Sequence, residues 1–261
     1  KKKNYATIAK KSAEIQINEL KKIKKVFNNS FNKAIDLILK CKGKVIFAGI
    51  GKSGLIARKI SATFSSVGIP SFFCDPAQAL HGDMGQIEKK DILIVFSYSG
   101  NTSELNNMLK YANRFQIKII GVASKPDSIL LKASDIKLIL PKVKEADPTG
   151  MVPTSSTSIT LLLGDCLATT VMSHRNFSKE KFKVFHPGGN IGSSLLLAKD
   201  IMVTGTKMPV INYMKTFKEA LKVMNQKKLG IIVLTKNKFI TGLLTDGDLR
   251  RELGKISLKT N

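Results

Sequence analysis

The sequence predicts an α/β protein: a doubly wound parallel sheet of five strands, preceded by helices and followed by a small α+β module. Three observations carry that expectation. Five short, near-continuously apolar runs lie between Lys44 and Pro141, the pattern of strands buried on both faces. Helical stretches alternate with them, as the crossovers of a parallel sheet require. Beyond Asp200 a strand–helix–strand–strand–helix rhythm restarts on a smaller scale.

The elements follow in order. From about Tyr5 to Phe31, Ile8, Ile15, Leu20, Ile23 and Phe27 recur at helix-like spacing among lysines, so a helical run is expected there. "NSFNKAIDLILKC" then offers Ser30 as the N-cap of a second helix. The strands are expected in "KVIFAG", "PSFFCD", "DILIVFS", "IKIIGVAS" and "DIKLILP", with helices such as Leu55 to Val67 and Ser103 to Phe115 between them. A long apolar helix is expected from Ser155 to about His174. The tail offers strand "PVI", helix "TFKEALKVMNQK", strands "GIIVLT" and "FITGLLT", and helix "DGDLRREL". The resulting division is N-terminal helices over 1–42, a central α/β domain over 43–197 and a module over 198–261. The last is too short to be a comfortable domain alone.

Composition narrows the class. With 261 residues, 43% of them hydrophobic, the chain can bury a substantial core. No apolar run approaches the roughly 18 residues that span a bilayer, and the lysine-rich N-terminus has no apolar signal region, so no membrane partner is expected. Cys41, Cys74 and Cys166 form neither a zinc pattern nor a disulfide framework and read as core thiols of a cytoplasmic protein. A net charge of +24 would suit nucleic acid, yet only five basic residues are arginine and the lysines are dispersed. Lysine, isoleucine and asparagine are abundant together, which reads as compositional bias rather than specific nucleic-acid binding. The positive field would still attract anionic substrates. A start at Lys1 rather than methionine is what a fragment would show.

The chemistry gathers at three turns. Gly49-Ile50-Gly51-Lys52-Ser53-Gly54 fits the dinucleotide fingerprint, while "GKS" echoes an ATPase phosphate loop. The ATPase pattern needs a glycine where Ile46 stands, so that reading fails. The dinucleotide reading keeps Asp75, which ends the second strand where a ribose-binding acid belongs. The third strand decides against it: "VFSYSGNTSE" crowds Ser97, Ser99, Thr102 and Ser103 at a helix start, a cradle suited to a phosphate monoester. A dinucleotide site has no evident use for this second hydroxyl-rich loop. In "DPTGMVPTSSTSITLLLGD", Thr154, Ser155, Ser156 and Thr157 open the long helix; capping accounts for one, and the others face the ligand or their own backbone. No Cys/His/Asp cluster has zinc spacing, so neither a metal nor another cofactor is expected.

Taken jointly and in order, "GKSG", "HGDMG", "SYSGNTSE", "VKEADPTGMVPTSSTS" and "HPGGNIG" resemble the sugar isomerase (SIS) domain proteins of the arabinose-5-phosphate isomerase family, from about Ile15 onward. The tail from "KDIMVTG" to "TDGDLRREL" resembles one cystathionine-β-synthase-type (CBS) repeat, where family members usually carry two. The resemblance implies interconversion of ribulose 5-phosphate and arabinose 5-phosphate through an enediol(ate), feeding 3-deoxy-manno-octulosonate and lipopolysaccharide synthesis. It implies catalytic roles for Lys52, Glu104, Glu145 and His186, with the identity of the C–H base open among the last three. It further implies a substrate pocket using Gly51, Ser53, Ser97, Ser99, Thr102, Asp75, Thr154, Ser155 and Ser156, with His81 as a further lining candidate. A homotetramer in which His186 reaches a neighbouring subunit's site, and a nucleotide-type ligand at the CBS-type repeat, belong to the same implication. The competing readings are a phosphosugar-sensing regulator, an isomerase of a heptose or hexulose phosphate, and a dinucleotide-dependent oxidoreductase.

Overall fold

The computed structural model describes residues 4–186 and 197–258. The chain divides into two compact units, Lys1–Leu195 and Leu196–Asn261. The first begins with α1 (Tyr5–Leu20), a 3-10 turn over Lys21–Val26 and α2 (Asn29–Leu39). The helical run expected to reach Phe31 is therefore broken: Phe27 leaves helical geometry with ψ 75°, and a new helix starts after it. The N-cap of α2 is Asn28, not Ser30; the Asn28 side chain accepts from the Ser30 N–H at 2.8 Å. Both side-chain types cap helices, and Asn28 wins because its extended backbone (φ −129°, ψ −167°) aims the amide oxygen at the first turn.

Five parallel strands follow: β1 (Val45–Gly49), β2 (Ser71–Phe73), β3 (Ile92–Phe96), β4 (Lys118–Ala123) and β5 (Ile136–Ile139), in the order β2-β1-β3-β4-β5. Val45 pairs with Ser71 on one side and Ile92 on the other. Alternating side chains separate two cores, because successive residues of a strand point to opposite faces. Val45, Phe47, Ile92, Ile94, Phe96, Ile120 and Val122 pack under α2, α3 (Gly51–Ser66) and α7 (Ser155–His174). Ile46, Ala48, Leu93, Val95 and Ile119 pack under α4 (Pro76–Ala79), α5 (Asn106–Arg114) and α6 (Ile129–Ala133). A doubly wound sheet is the result. Gly164 lets α7 meet α3, since a Cβ there would come within 2.1 Å of Ile60 Cδ1.

α8 (Lys179–Phe185) and His186 end the described part of this unit, and the rest of the "HPGGNIG" motif, from Pro187 on, lies outside the described residues. The second unit holds α9 (Ala198–Ile201), β6 (Val210–Asn212), α10 (Phe217–Lys227), β7 (Ile231–Lys236), β8 (Phe239–Thr245) and α11 (Asp246–Leu258). Its sheet runs β6-β7-β8, parallel then antiparallel, over a small core of Ala220, Met224, Ile232 and Leu249. The three cysteines are unpaired; Cys74 is buried, while Cys41 and Cys166 are only half-buried. No helix among the described residues is long and apolar enough to cross a membrane.

Candidate active site

Strand order reverses between β1 and β3, and a ligand crevice belongs at such a switch point, outside the carboxyl ends of the strands. A cleft of about 520 Å³ opens there, lined by the turns after β1, β3 and β5 and by the start of α7. Each wall has a local cause.

The first wall is the turn into α3. Gly51 takes φ +58°, a left-handed conformation that a side chain would strain. A Cβ on Gly54 would lie 2.6 Å from the Gly49 carbonyl oxygen, so these glycines seat the helix directly on β1. Ile50 supplies no side-chain cap, leaving the first-turn N–H groups beside the cleft as orphan donors. Lys52 and Ser53 line the cleft, and the Lys52 ammonium makes no hydrogen bond or ion pair with another described residue. Gly51 instead borders a shallower depression with Lys52, Arg58, Phe73 and Asp75. Asp75 caps α4 there, accepting from the Ala77 N–H at 2.9 Å.

The second wall is the hydroxyl loop after β3. Ser97, Tyr98, Ser99 and Thr102 all line the cleft. Ser97 Oγ and Thr102 Oγ1 are 2.8 Å apart, and Ser97 Oγ also accepts from the Gly100 N–H at 3.1 Å. Gly100, at φ +70°, lies so close to Ser128 that a Cβ would come within 2.2 Å of its Oγ, and the Gly100 carbonyl accepts from Leu130 N. The loop is thereby pinned to α6. Glu104 sits on the 3-10 turn Ser103–Leu105, exposed, and accepts from Ser103 Oγ at 2.8 Å; it is not among the described lining residues.

Glu145 forms the third wall, on the segment leaving β5. Its Oε2 accepts from Thr154 N at 2.7 Å, Thr154 Oγ1 at 3.0 Å and Ser156 N at 3.3 Å. Burial pushes this carboxyl up, but the hydroxyls and N–H groups of Ser156 and Thr154 outweigh it and hold it below the usual glutamate range. The carboxylate thus satisfies the start of α7 while lining the cleft. Thr154 is occupied with Glu145 and with the Ala146 N–H at 2.8 Å. Ser155 is fully buried off the cleft, its Oγ without a hydrogen-bond partner among the described residues. Ser156, Thr157 and Thr160 face the cleft.

Of the four family-implied catalytic side chains, the fold therefore brings Lys52 and Glu145 to one cleft and leaves Glu104 and His186 off its described lining. His186 closes α8 with its ring stacked on Phe182, centroids 3.8 Å apart. Its Nδ1 lies 2.9 Å from the Phe182 carbonyl oxygen. A carbonyl can only accept, so the ring donates through Nδ1. His81 is exposed on the turn after α4. Among the described residues no group of His, Cys, Asp and Glu could hold a metal.

Two hydroxyl-bearing lining residues escaped the sequence reading. Tyr98 hid between the serines of the hydroxyl loop, where an aromatic reads as core. Thr160 lies one helical turn after Ser156, a spacing that puts both on one face of α7 and could have revealed it.

Comparison with known proteins fits this geometry. The SIS domain family matches residues 38–170. An uncharacterized protein of Rickettsia prowazekii is 42% identical over 259 residues, 98% of this chain and 81% of that protein. Arabinose 5-phosphate isomerase KdsD of Escherichia coli O157:H7 is 40% identical over 250 residues, 95% of this chain and 76% of the relative. Among solved structures, an E. coli CFT073 protein in complex with arabinose 5-phosphate superimposes with a TM-score of 0.69 and 32% identity, covering 72% of this chain and all of that one.

Proposed function

This chain belongs to the arabinose 5-phosphate isomerase family of SIS-domain proteins, and on that premise we propose that it interconverts D-ribulose 5-phosphate and D-arabinose 5-phosphate. One observation carries the reading: the Ser97/Ser99/Thr102 hydroxyls and the ionised Glu145 carboxylate border the same cleft, with Lys52 at its first wall. The hydroxyls and the first turn of α3 suit a phosphate monoester. The carboxylate suits a proton transfer at carbon.

In this reading the phosphate rests in the hydroxyl loop and the carbonyl end reaches Glu145 and Lys52. A carboxylate takes the proton from the carbon beside the carbonyl, the electron pair moves onto the carbonyl oxygen, and an enediolate forms. The Lys52 ammonium offsets the new negative charge. The hydroxyl proton on the first carbon's oxygen then passes to the former carbonyl oxygen while the carboxylic acid, its proton exchanged with solvent, protonates the neighbouring carbon, and aldose and ketose are interchanged. Burial on the cleft wall favours Glu145 as this base over the exposed Glu104. Arabinose 5-phosphate closes a ring through O4, whereas ribulose 5-phosphate cannot close a furanose because its O5 carries phosphate. Ring opening therefore matters from the aldose side. His186, supplied from a neighbouring subunit of a tetramer, is the group proposed for it. The tail is proposed as a CBS-type repeat with a nucleotide-type ligand. A cytoplasmic setting keeps the unpaired cysteines as thiols.

The test is NMR of the purified protein with ribulose 5-phosphate in D₂O, without added metal or NAD. Arabinose 5-phosphate with deuterium at C2 is expected. Bound but unconverted ribulose 5-phosphate would overturn the reading in favour of a sensor or another phosphosugar.

A further inference from the structure

The segment between β5 and α7 that delivers Glu145 has no regular secondary structure over residues 140–145, yet its backbone is held almost residue by residue. Leu140 N donates to Ala123 O at 2.8 Å. The Tyr98 hydroxyl clamps the next stretch, donating to Pro141 O at 3.2 Å and accepting from Val143 N at 2.9 Å. The next amide, Lys144 N, donates to Glu19 Oε2 at 3.0 Å. Lys22 Nζ reaches the same Glu19 oxygen at 2.5 Å and Lys142 O at 3.4 Å. The outer clamp therefore comes from α1, a helix with no buried residue of its own, through a glutamate whose side chain is only 14% exposed. A second polar contact docks α1 independently: Ser158 Oγ lies 3.1 Å from Gln16 Oε1.

We propose that Glu19 is a positioning residue for Glu145, fixing the Lys144 peptide from outside while Tyr98 fixes the Val143 peptide from within. The inference rests on the isomerase reading of the cleft. Its physical basis is that Glu145 follows the clamped amide directly, so slack there moves the carboxylate relative to the bound sugar. A displacement of about 1 Å at a reacting group costs on the order of a hundredfold in rate.

The experiment compares Glu19→Ala, Glu19→Gln and Gln16→Ala in the intact chain, by turnover of ribulose 5-phosphate and by amide hydrogen exchange over residues 141–146. Glu19→Ala is expected to lower kcat about tenfold to a hundredfold with KM nearly unchanged, and to speed exchange at Lys144. Glu19→Gln keeps an oxygen for the Lys144 N–H and restores most of both. Gln16→Ala, which disturbs only the docking of α1, leaves both at wild-type values. Equal losses in Glu19→Ala and Gln16→Ala would reduce Glu19 to a docking residue and overturn the proposal. Wild-type kcat in Glu19→Ala would do the same. An inactive wild-type chain would remove the isomerase reading and with it any catalytic positioning, and unchanged exchange in Glu19→Ala would refute the clamp itself.

Discussion

Glu145 serves the fold and the cleft with one carboxylate. Because its folded pKa lies below its unfolded value, near 4.3, the ionised form is favoured in the native state. The stability it contributes is present above the unfolded pKa and is lost as pH falls through the lower folded one. The acid limb of kcat/KM due to Glu145 should therefore lie below about pH 4.3, and a limb near pH 6 that Glu145→Gln abolishes would contradict the assignment. Glu145→Gln keeps an oxygen for the Thr154 N–H but no base. Turnover should fall about 10²- to 10⁴-fold while calorimetry finds substrate affinity within a few-fold. Sequence carried Glu145 only through resemblance, because an acid flanked by Lys142 and Lys144 otherwise reads as a surface ion pair. The folded chain gives it a different set of partners, Thr154 and Ser156.

Among the elements, the α3 and α2 starts carry separate predictions. Gly54→Ala places a methyl group against the Gly49 carbonyl, and backbone on both sides cannot give way as a flexible side chain would. The helix start must lift from β1, so Lys52 and Ser53 move with it. Loss of both stability and kcat/KM is expected, with about 1–3 kcal/mol in urea unfolding. At α2, Asn28→Ala should cost about 0.5–2 kcal/mol, whereas Ser30→Ala should stay within about 0.5 kcal/mol. A reversed order would restore Ser30 as the cap. Strand positions were legible in the sequence because buried parallel strands are nearly continuous apolar runs. The break after α1 was not, because lysines and aliphatic residues continue through the 3-10 turn with the same spacing.

At the scale of the molecule, the absence of His186 from the described cleft lining bears on assembly. If His186 serves a neighbouring subunit's site, Glu145→Gln and His186→Ala proteins, each inactive, should complement on mixing. Random exchange between two paired subunits leaves about a quarter of the sites with both groups. A mixture that stays inactive would place both residues in one chain's own site. What the sequence determined by itself was local: a parallel α/β sheet, the glycine turn into α3, and a hydroxyl loop suited to phosphate. Periodicity, φ requirements and hydrogen-bonding capacity are properties of neighbouring residues, so they survive reading along the chain. Tertiary structure decided which turns share a cleft, and that Ser155 is buried while Thr160 faces it. It also decided that Tyr98 and Glu19 hold the segment of Glu145. These depend on pairings across 45 and 125 positions of sequence, and only the packed sheet and its helices bring such residues within hydrogen-bonding distance.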